Sequence, residues 1–206
     1  MNELIDISQT LRPGIAVWPG DTRFQPFWMM RMDQGDSCNV GSVTMSLHTG
    51  THVDAPFHVL RDGESPANAD LSAYVGAADV LDLSNVRAVE PQHLAGMADQ
   101  SPERVLIKTG TANSDSFDAS FAYFTPGAAR LLVSLGVKLV GIDTPSVDKK
   151  DSQTMESHRI FASAEVAVLE NLVLMNVDPG RYELLALPLK LAGLDASPVR
   201  AVLRSL

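Results

Sequence analysis

The feature that most narrows what this chain can fold into is an eleven-residue run, His48-Thr49-Gly50-Thr51-His52-Val53-Asp54-Ala55-Pro56-Phe57-His58. A helix would bring His48 and His52 onto one face, but Gly50 and Pro56 disfavour a helix here. An extended segment satisfies the same residues differently. His52 and Asp54, two apart, then aim the same way, Pro56 restricts Ala55 to extended backbone, and His58 follows after a turn. The chain is therefore expected to present this run as a strand-like arm with a polar face.

Histidine is scarce outside the run, where only His93 and His158 occur. Imidazole and carboxylate are the usual ligands of zinc and its first-row neighbours. One metal site accounts for four ligand-type side chains that would otherwise need four separate structural reasons. A cysteine-free ligand set disfavours a closed structural zinc site, and a metal held by two imidazoles and a carboxylate keeps coordination open for catalysis. His93 stands alone and is read as an ordinary core or surface histidine.

Composition sets the class. With 206 residues, 45% hydrophobic and 20% charged, the chain is expected to form a single domain, 1–206, with a sizeable core. A net charge of -9 and the lack of a Lys/Arg patch argue against nucleic acid as a partner. No run approaches the length of a membrane span. Acidic residues at the start, Glu3 and Asp6, stand where a signal peptide would be basic, and the lone Cys38 suits a reducing compartment, so a cytoplasmic protein is expected. Cys38 is read as a small structural or surface residue, because neither Ser37 nor Asn39 would activate a thiol.

Apolar alternation predicts many strands. Residues 42–48 alternate at period two, with Val43, Met45 and Leu47 on one side and His48 on the polar side. Further strands are expected at 79–83, 105–108, 139–142, 172–177, 182–187 and 199–203, two of them ending in Thr109-Gly110 and Asp143-Thr144-Pro145. The clearest helix spans 126–135, with Thr125 as N-cap, Pro126 in the first turn and Gly136 closing the end. Other helices are expected near 90–98 and after His158. There is no Gly-rich phosphate loop. The expected class is α/β: a strand-rich mixed sheet or barrel-like core flanked by helices, without a strict βαβ rhythm.

The run from His48 to His58 matches His-x-Gly-Thr-His-x-Asp-x-Pro-x-His at every fixed position, and so resembles the metal-dependent cyclase family. The resemblance covers nearly the whole chain. It includes Val17-Trp18-Pro19-Gly20-Asp21, Val75-Gly76, Gly141-Ile142-Asp143, His158 and Leu169-Glu170-Asn171-Leu172. It ends with Ala186-Leu187-Pro188-Leu189-Lys190 and Asp195-Ala196-Ser197-Pro198-Val199-Arg200-Ala201. The Trp18 segment and the C-terminal stretch look most like the family's bacterial arylformamidase branch.

That resemblance implies a swivelling β/β/α-like fold and a site with two divalent ions, zinc first, with manganese or another ion possible. It gives His48, His52 and Asp54 to one ion, with Asp54 bridging to a second held by His158 and Glu170. His58 is implied as the proton donor and acceptor, a task that suits imidazole chemistry, and Trp18 as an aromatic wall. The implied reaction is hydrolysis of N-formyl-L-kynurenine, a small molecule, by a homodimer. Three alternatives remain open from the residues: a relative that opens a cyclic amide such as isatin, a metal-binding protein without turnover, and a structural domain with a solvated histidine loop.

Overall fold

The computed structural model describes residues 3–97, 102–111 and 116–206. Its strands are β1 (Leu4–Asp6), β2 (Gln25–Met30), β3 (Val40–Thr44), β4 (His52–Asp54), β5 (Val75–Asp82), β6 (Ala88–Val89), β7 (Arg104–Lys108), β8 (Tyr123–Phe124), β9 (Leu139–Ile142), β10 (Ala167–Glu170), β11 (Gly180–Leu185), β12 (Ala196–Pro198) and β13 (Val202–Ser205). Two α-helices, α1 (Pro126–Ser134) and α2 (Glu156–Ser163), join them, along with several 3-10 turns.

Nine strands form one mixed sheet in the order β1-β13-β11-β5-β7-β9-β10-β4-β12. The centre, β5-β7-β9-β10, is parallel, and both flanks are antiparallel. Parallel strands covered on both faces should read as unbroken apolar runs, and Val105-Leu106-Ile107 and Leu139-Val140-Gly141-Ile142 do so. Alternation along them divides the core in two. Leu106, Leu139 and Leu169 join one cluster with Leu172, Leu174, Leu184 and Leu203. Val105, Ile107, Val140, Ile142 and Val168 face the other way, against Ala128, Ala129 and Leu132 of α1 and Phe161 of α2.

Gly141 has no side chain on the first of these faces because none would fit: a Cβ there would sit 2.5 Å from Leu106 Cδ2 and 2.9 Å from Leu172 Cδ1. Arg104 is buried, and its guanidinium donates to the carbonyls of Ala73 (2.7 Å), Ala77 (3.1 Å) and Ser72, stitching the turn before β5 to β7.

Most expected elements are present. α1 starts at Pro126, with the Thr125 hydroxyl accepting from Ala128 N at 3.3 Å, and Gly136 adopts φ 77° just past its end. Four expectations need correction. Residues 172–177 form no strand, because Asn171 turns to φ 57° and ends β10. Leu172, Leu174 and Val177 still fill the core, from an irregular segment tied by Val173 N to Ile7 O. The strand expected at 42–48 is β3, two residues earlier at its start and ending at Thr44. It pairs with β2 in a separate two-stranded ribbon that leaves Val43 49% exposed, so this alternation does not mark a half-buried strand.

The helix near 90–98 is a 3-10 stretch over Pro91–Met97, residue 98 lying outside the described residues. The helix expected after His158 instead contains it. β7 and β9, joined through α1, and β9 and β10, joined through α2, make two consecutive βαβ units, while the antiparallel flanks keep the sheet without a strict βαβ rhythm, as expected.

Replacing Gly141 with Ala should destabilise the chain by about 1–3 kcal/mol through overpacking. A change of Gly96 to Ala, where a Cβ meets nothing within 4 Å, should stay within about 0.5 kcal/mol. Urea denaturation of the two variants compares them, and equal stabilities would contradict the packing described for β9.

Candidate metal centre

β4 is the arm on which the site is built. It lies between β10 and β12, antiparallel to both, with His52 opposite Glu170 and Asp54 opposite Val168. Residues directly opposite share a face, as do residues two apart along a strand. His52, Asp54 and Glu170 therefore project together on the face that also carries Val168 and packs against α2. The same face of the sheet receives His158 from α2.

Gly50 makes the approach to β4 possible. It sits at φ 67°, a Cβ there would lie 2.6 Å from Leu11 Cδ2, and its carbonyl accepts from His52 Nδ1 at 2.8 Å. That bond turns His52 Nε2 inward. Thr51 fixes the neighbouring backbone by taking Gln9 N at 2.9 Å and donating to Asn171 O at 2.7 Å. After β4, Pro56–His58 forms a 3-10 turn that delivers His58 to the mouth of the site.

The side chains converge on Asp54. Its Oδ1 lies 3.1 Å from His48 Nδ1 and 3.4 Å from His52 Nε2, while Oδ2 lies 3.2 Å from His158 Nε2. Glu170 closes the ring, with Oε2 3.4 Å from His52 Nε2 and Oε1 3.2 Å from His158 Nε2. Val147 N also donates to Glu170 Oε1 at 2.7 Å. The two Asp54 oxygens thus face different histidines, one pair on β4 and its approach, the other on α2.

His58 sits beside this ring, its centroid 4.5 Å from that of His48 and 5.6 Å from that of His158. All six expected ligand and proton-transfer residues are together. Trp18 stands in the same cleft, stacked edge-on to Phe117 at 5.1 Å and tilted against Phe121 at 6.1 Å.

Electrostatics explain what such a cluster needs. Asp54 and Glu170 are both buried, and burial alone favours their neutral forms. The imidazoles of His158, His48 and His52 outweigh burial and hold Asp54 well below the usual carboxylate range. Glu170 is also lowered, although burial and the Asp54 charge oppose it. Reciprocally, burial disfavours charged rings at His48 and His52, yet the carboxylates prevail, raising His48 to about 10 and His52 to about 9. At His158, burial is likewise outweighed by Asp148, Asp54 and Glu170.

The residues fit a cation. His52 Nε2 and both Asp54 oxygens are buried and, despite their short approaches, have no aligned hydrogen-bond partner among the described residues. Leaving such atoms unpaired costs about 1–3 kcal/mol each, and more where charge is involved. Among the described residues two sets of ligand atoms close within 4.8 Å, His48/Asp54/His58 and His52/Asp54/Glu170, and Asp54 belongs to both. His58 is thus near enough to His48 and Asp54 to act as a ligand. Divalent ions here would replace protons on the imidazoles and satisfy the unpaired oxygens.

Sequence reasoning missed Asp148. Its carboxylate accepts from Ser157 N and His158 N at 3.0 Å each, and from His158 Nδ1 at 2.7 Å. It thereby holds the start of α2 and points His158 Nε2 at Asp54 and Glu170, the usual role of a carboxylate behind a metal-binding histidine. Nothing in the Pro145-Ser146-Val147-Asp148 run announces this. Phe117 and Phe121 also escaped notice, although the aromatic spacing around Trp18 depends on them. His93 accepts from Glu90 N at 3.0 Å, apart from the site, as a structural histidine should. Cys38 is free and exposed.

The cleft beside the ring has a volume of 1340 Å³, and its lining includes Trp18, Phe117 and Phe121 as well as His58 and Asp195. It is large enough for a small aromatic substrate. A family model described as "Putative cyclase" matches residues 5–149. The chain belongs to the cyclase family. Among its relatives, the kynurenine formamidase of Salinibacter ruber (strain DSM 13855 / M31) is 46% identical over 205 residues, 98% of this chain and 97% of that protein. Among solved structures, a "potential metal-dependent hydrolase with cyclase activity" superposes with a TM-score of 0.87 at 29% identity, covering 100% of this chain and 99% of the other. Isatin hydrolase A from Labrenzia aggregata, bound to benzyl benzoate, gives 0.85 at 26% identity, covering 99% and 94%. The mixed sheet with helices on one face is thus the cyclase-family fold.

Zinc added to chelator-stripped protein should raise Tm by roughly 8–16 °C at a thousandfold excess over Kd, since an ion that binds only the folded state stabilises it. Asp54→Asn should remove most of that rise. Differential scanning calorimetry with and without zinc decides it, and an unchanged wild-type Tm would contradict a metal centre at Asp54.

Proposed function

We propose that this chain is an arylformamidase that hydrolyses N-formyl-L-kynurenine to L-kynurenine and formate. The observation that carries the reading is the 46% likeness to a kynurenine formamidase across almost the full length, laid over a buried histidine–carboxylate ring beside an aromatic wall. In this reading His48, His52 and Asp54 hold one zinc ion, and Asp54, His158 and Glu170 hold the other; manganese would suit the same ligands. Bound there, divalent ions supply a polarised carbonyl and a water of lowered pKa.

The protein's own residues do the rest. Trp18, Phe117 and Phe121 hold the substrate's aryl ring and keep water from its face. His58, facing the cleft, carries the proton. Water adds to the formyl carbon as His58 takes its proton, and the carbon–nitrogen bond then breaks as His58 returns that proton to the aniline nitrogen, leaving formate and the free amine. Positioned proton transfer of this kind contributes about 10²–10⁴-fold.

The site draws on residues from Trp18 to Asp195, in keeping with the 206 residues working as one domain. The reducing cytoplasm suits a chain with one exposed, unpaired cysteine, and among the described residues no helix is long and apolar enough to cross a membrane. The β2–β3 ribbon exposes Phe27, Trp28, Met29, Val40 and Val43, with Met32 just after β2, and this apolar surface supports a homodimer. A second reading, opening of a cyclic amide such as isatin, is favoured only by the fold likeness to isatin hydrolase A.

Formate release from N-formyl-L-kynurenine should be abolished by chelator and restored by zinc, and His58→Ala should lower kcat by about 10²–10⁴-fold while sparing most of the metal. A higher kcat/KM on isatin than on N-formyl-L-kynurenine would replace the leading reading with the second. Sedimentation velocity should show a dimer that Trp28→Glu with Met29→Glu shifts towards monomer; an unaffected dimer would move the interface elsewhere.

A further inference from the structure

Asp195 lies one residue before β12, and its backbone carbonyl accepts from Ala55 N at 2.9 Å, just past the end of β4. This pins its carboxylate at the mouth of the cleft, between the histidine on the approach to β4 and the histidine in the turn after it. One oxygen serves both: Asp195 Oδ2 lies 3.0 Å from His48 Nε2 and 3.3 Å from His58 Nδ1. His48 presents its other nitrogen, Nδ1, to Asp54.

An imidazole has two inequivalent nitrogens, and a hydrogen bond at one decides what the other can offer. A carboxylate that accepts from His58 Nδ1–H leaves Nε2 as the atom that exchanges a proton with substrate. The same oxygen, accepting from His48 Nε2–H, leaves His48 Nδ1 with its lone pair towards the ring of ligands. Two imidazoles with different tasks are thereby held in fixed tautomer and orientation by one group.

We propose that Asp195 is a positioning residue for this reaction, fixing the tautomer and orientation of His58 while steadying His48 beside the metal centre. This rests on the reading of His58 as the proton carrier. Asp195 acts through these two imidazoles rather than on the reacting atoms, and its side chain is 40% exposed, so it can be replaced without leaving a hole in the core.

Asp195→Ala should lower kcat on N-formyl-L-kynurenine by about 10–100-fold at saturating zinc, with KM within about threefold. Asp195→Asn, which keeps one acceptor oxygen, should fall between wild type and Ala. Metal content is measured on each sample. Long-range ¹H–¹⁵N spectra of ¹⁵N-histidine-labelled protein supply a readout independent of turnover. His58, assigned by its loss in His58→Ala, should be protonated at Nδ1 in wild type, lose that preference in Asp195→Ala and keep only part of it in Asp195→Asn.

An unchanged His58 tautomer, an unchanged kcat, or a loss that follows metal content or KM would each overturn the inference. If His58→Ala retains activity, the proton-carrier reading has failed. If His58→Ala loses activity while Asp195→Ala does not, only the role of Asp195 has failed.

Discussion

The structure depends on one buried carboxylate. Asp54 is 6% exposed, points both oxygens at imidazoles, and has no aligned hydrogen bond to either. A charge in that position costs several kcal/mol unless something positive meets it. Three histidines and a second carboxylate surround it, each delivered by a different element and each held from behind. Gly50 O fixes His52, Asp148 fixes His158, and Val147 N fixes Glu170. A cluster so costly in the absence of a cation is what a metal-dependent enzyme builds, because the ion that satisfies it also supplies the chemistry.

The sheet earns its shape from this requirement as much as from its core. Parallel strands β5, β7, β9 and β10 bury both faces, which makes them rigid and self-sufficient. β4 is then added antiparallel beside this parallel centre, short and covered in turn by the edge strand β12, so a polar face can be carried against a rigid neighbour. The helix side of that edge is where α2 lands, and Asp148 settles its first turn over the site. Precision at the ligands therefore comes from strand register rather than from loops, while His48, His58 and Asp195, outside the regular strands, line the open side.

Much of this was legible in the residues, for identifiable reasons. The His52–Asp54 pair on one face followed from period-two geometry and from the exclusion of a helix by Gly50 and Pro56. α1 followed from its cap, its proline and its closing glycine. What misled was apolar pattern without context. Residues 42–48 alternate, yet β3 lies in an outlying ribbon whose apolar side is exposed. Residues 172–177 form a nearly unbroken apolar run, yet the left-handed Asn171 ends the strand and the apolar side chains reach the core from a coil. Periodicity reports which side chains share a side, and whether that side meets a core is settled by distant segments.

The sequence by itself determined the chemistry, because ligand type and spacing within eleven residues are local properties: two imidazoles and a carboxylate on an extended arm suit a divalent ion and little else. Tertiary structure decided where that chemistry closes. His158 and Glu170 lie more than a hundred residues from the arm and become neighbours only through the register of β10 on β4 and the landing of α2. Asp148 and Asp195, ordinary acids in the sequence, acquire their roles only where folding sets a carboxylate behind a histidine. A hydrogen bond between side chains far apart in sequence is a product of packing, which no local pattern of residues encodes.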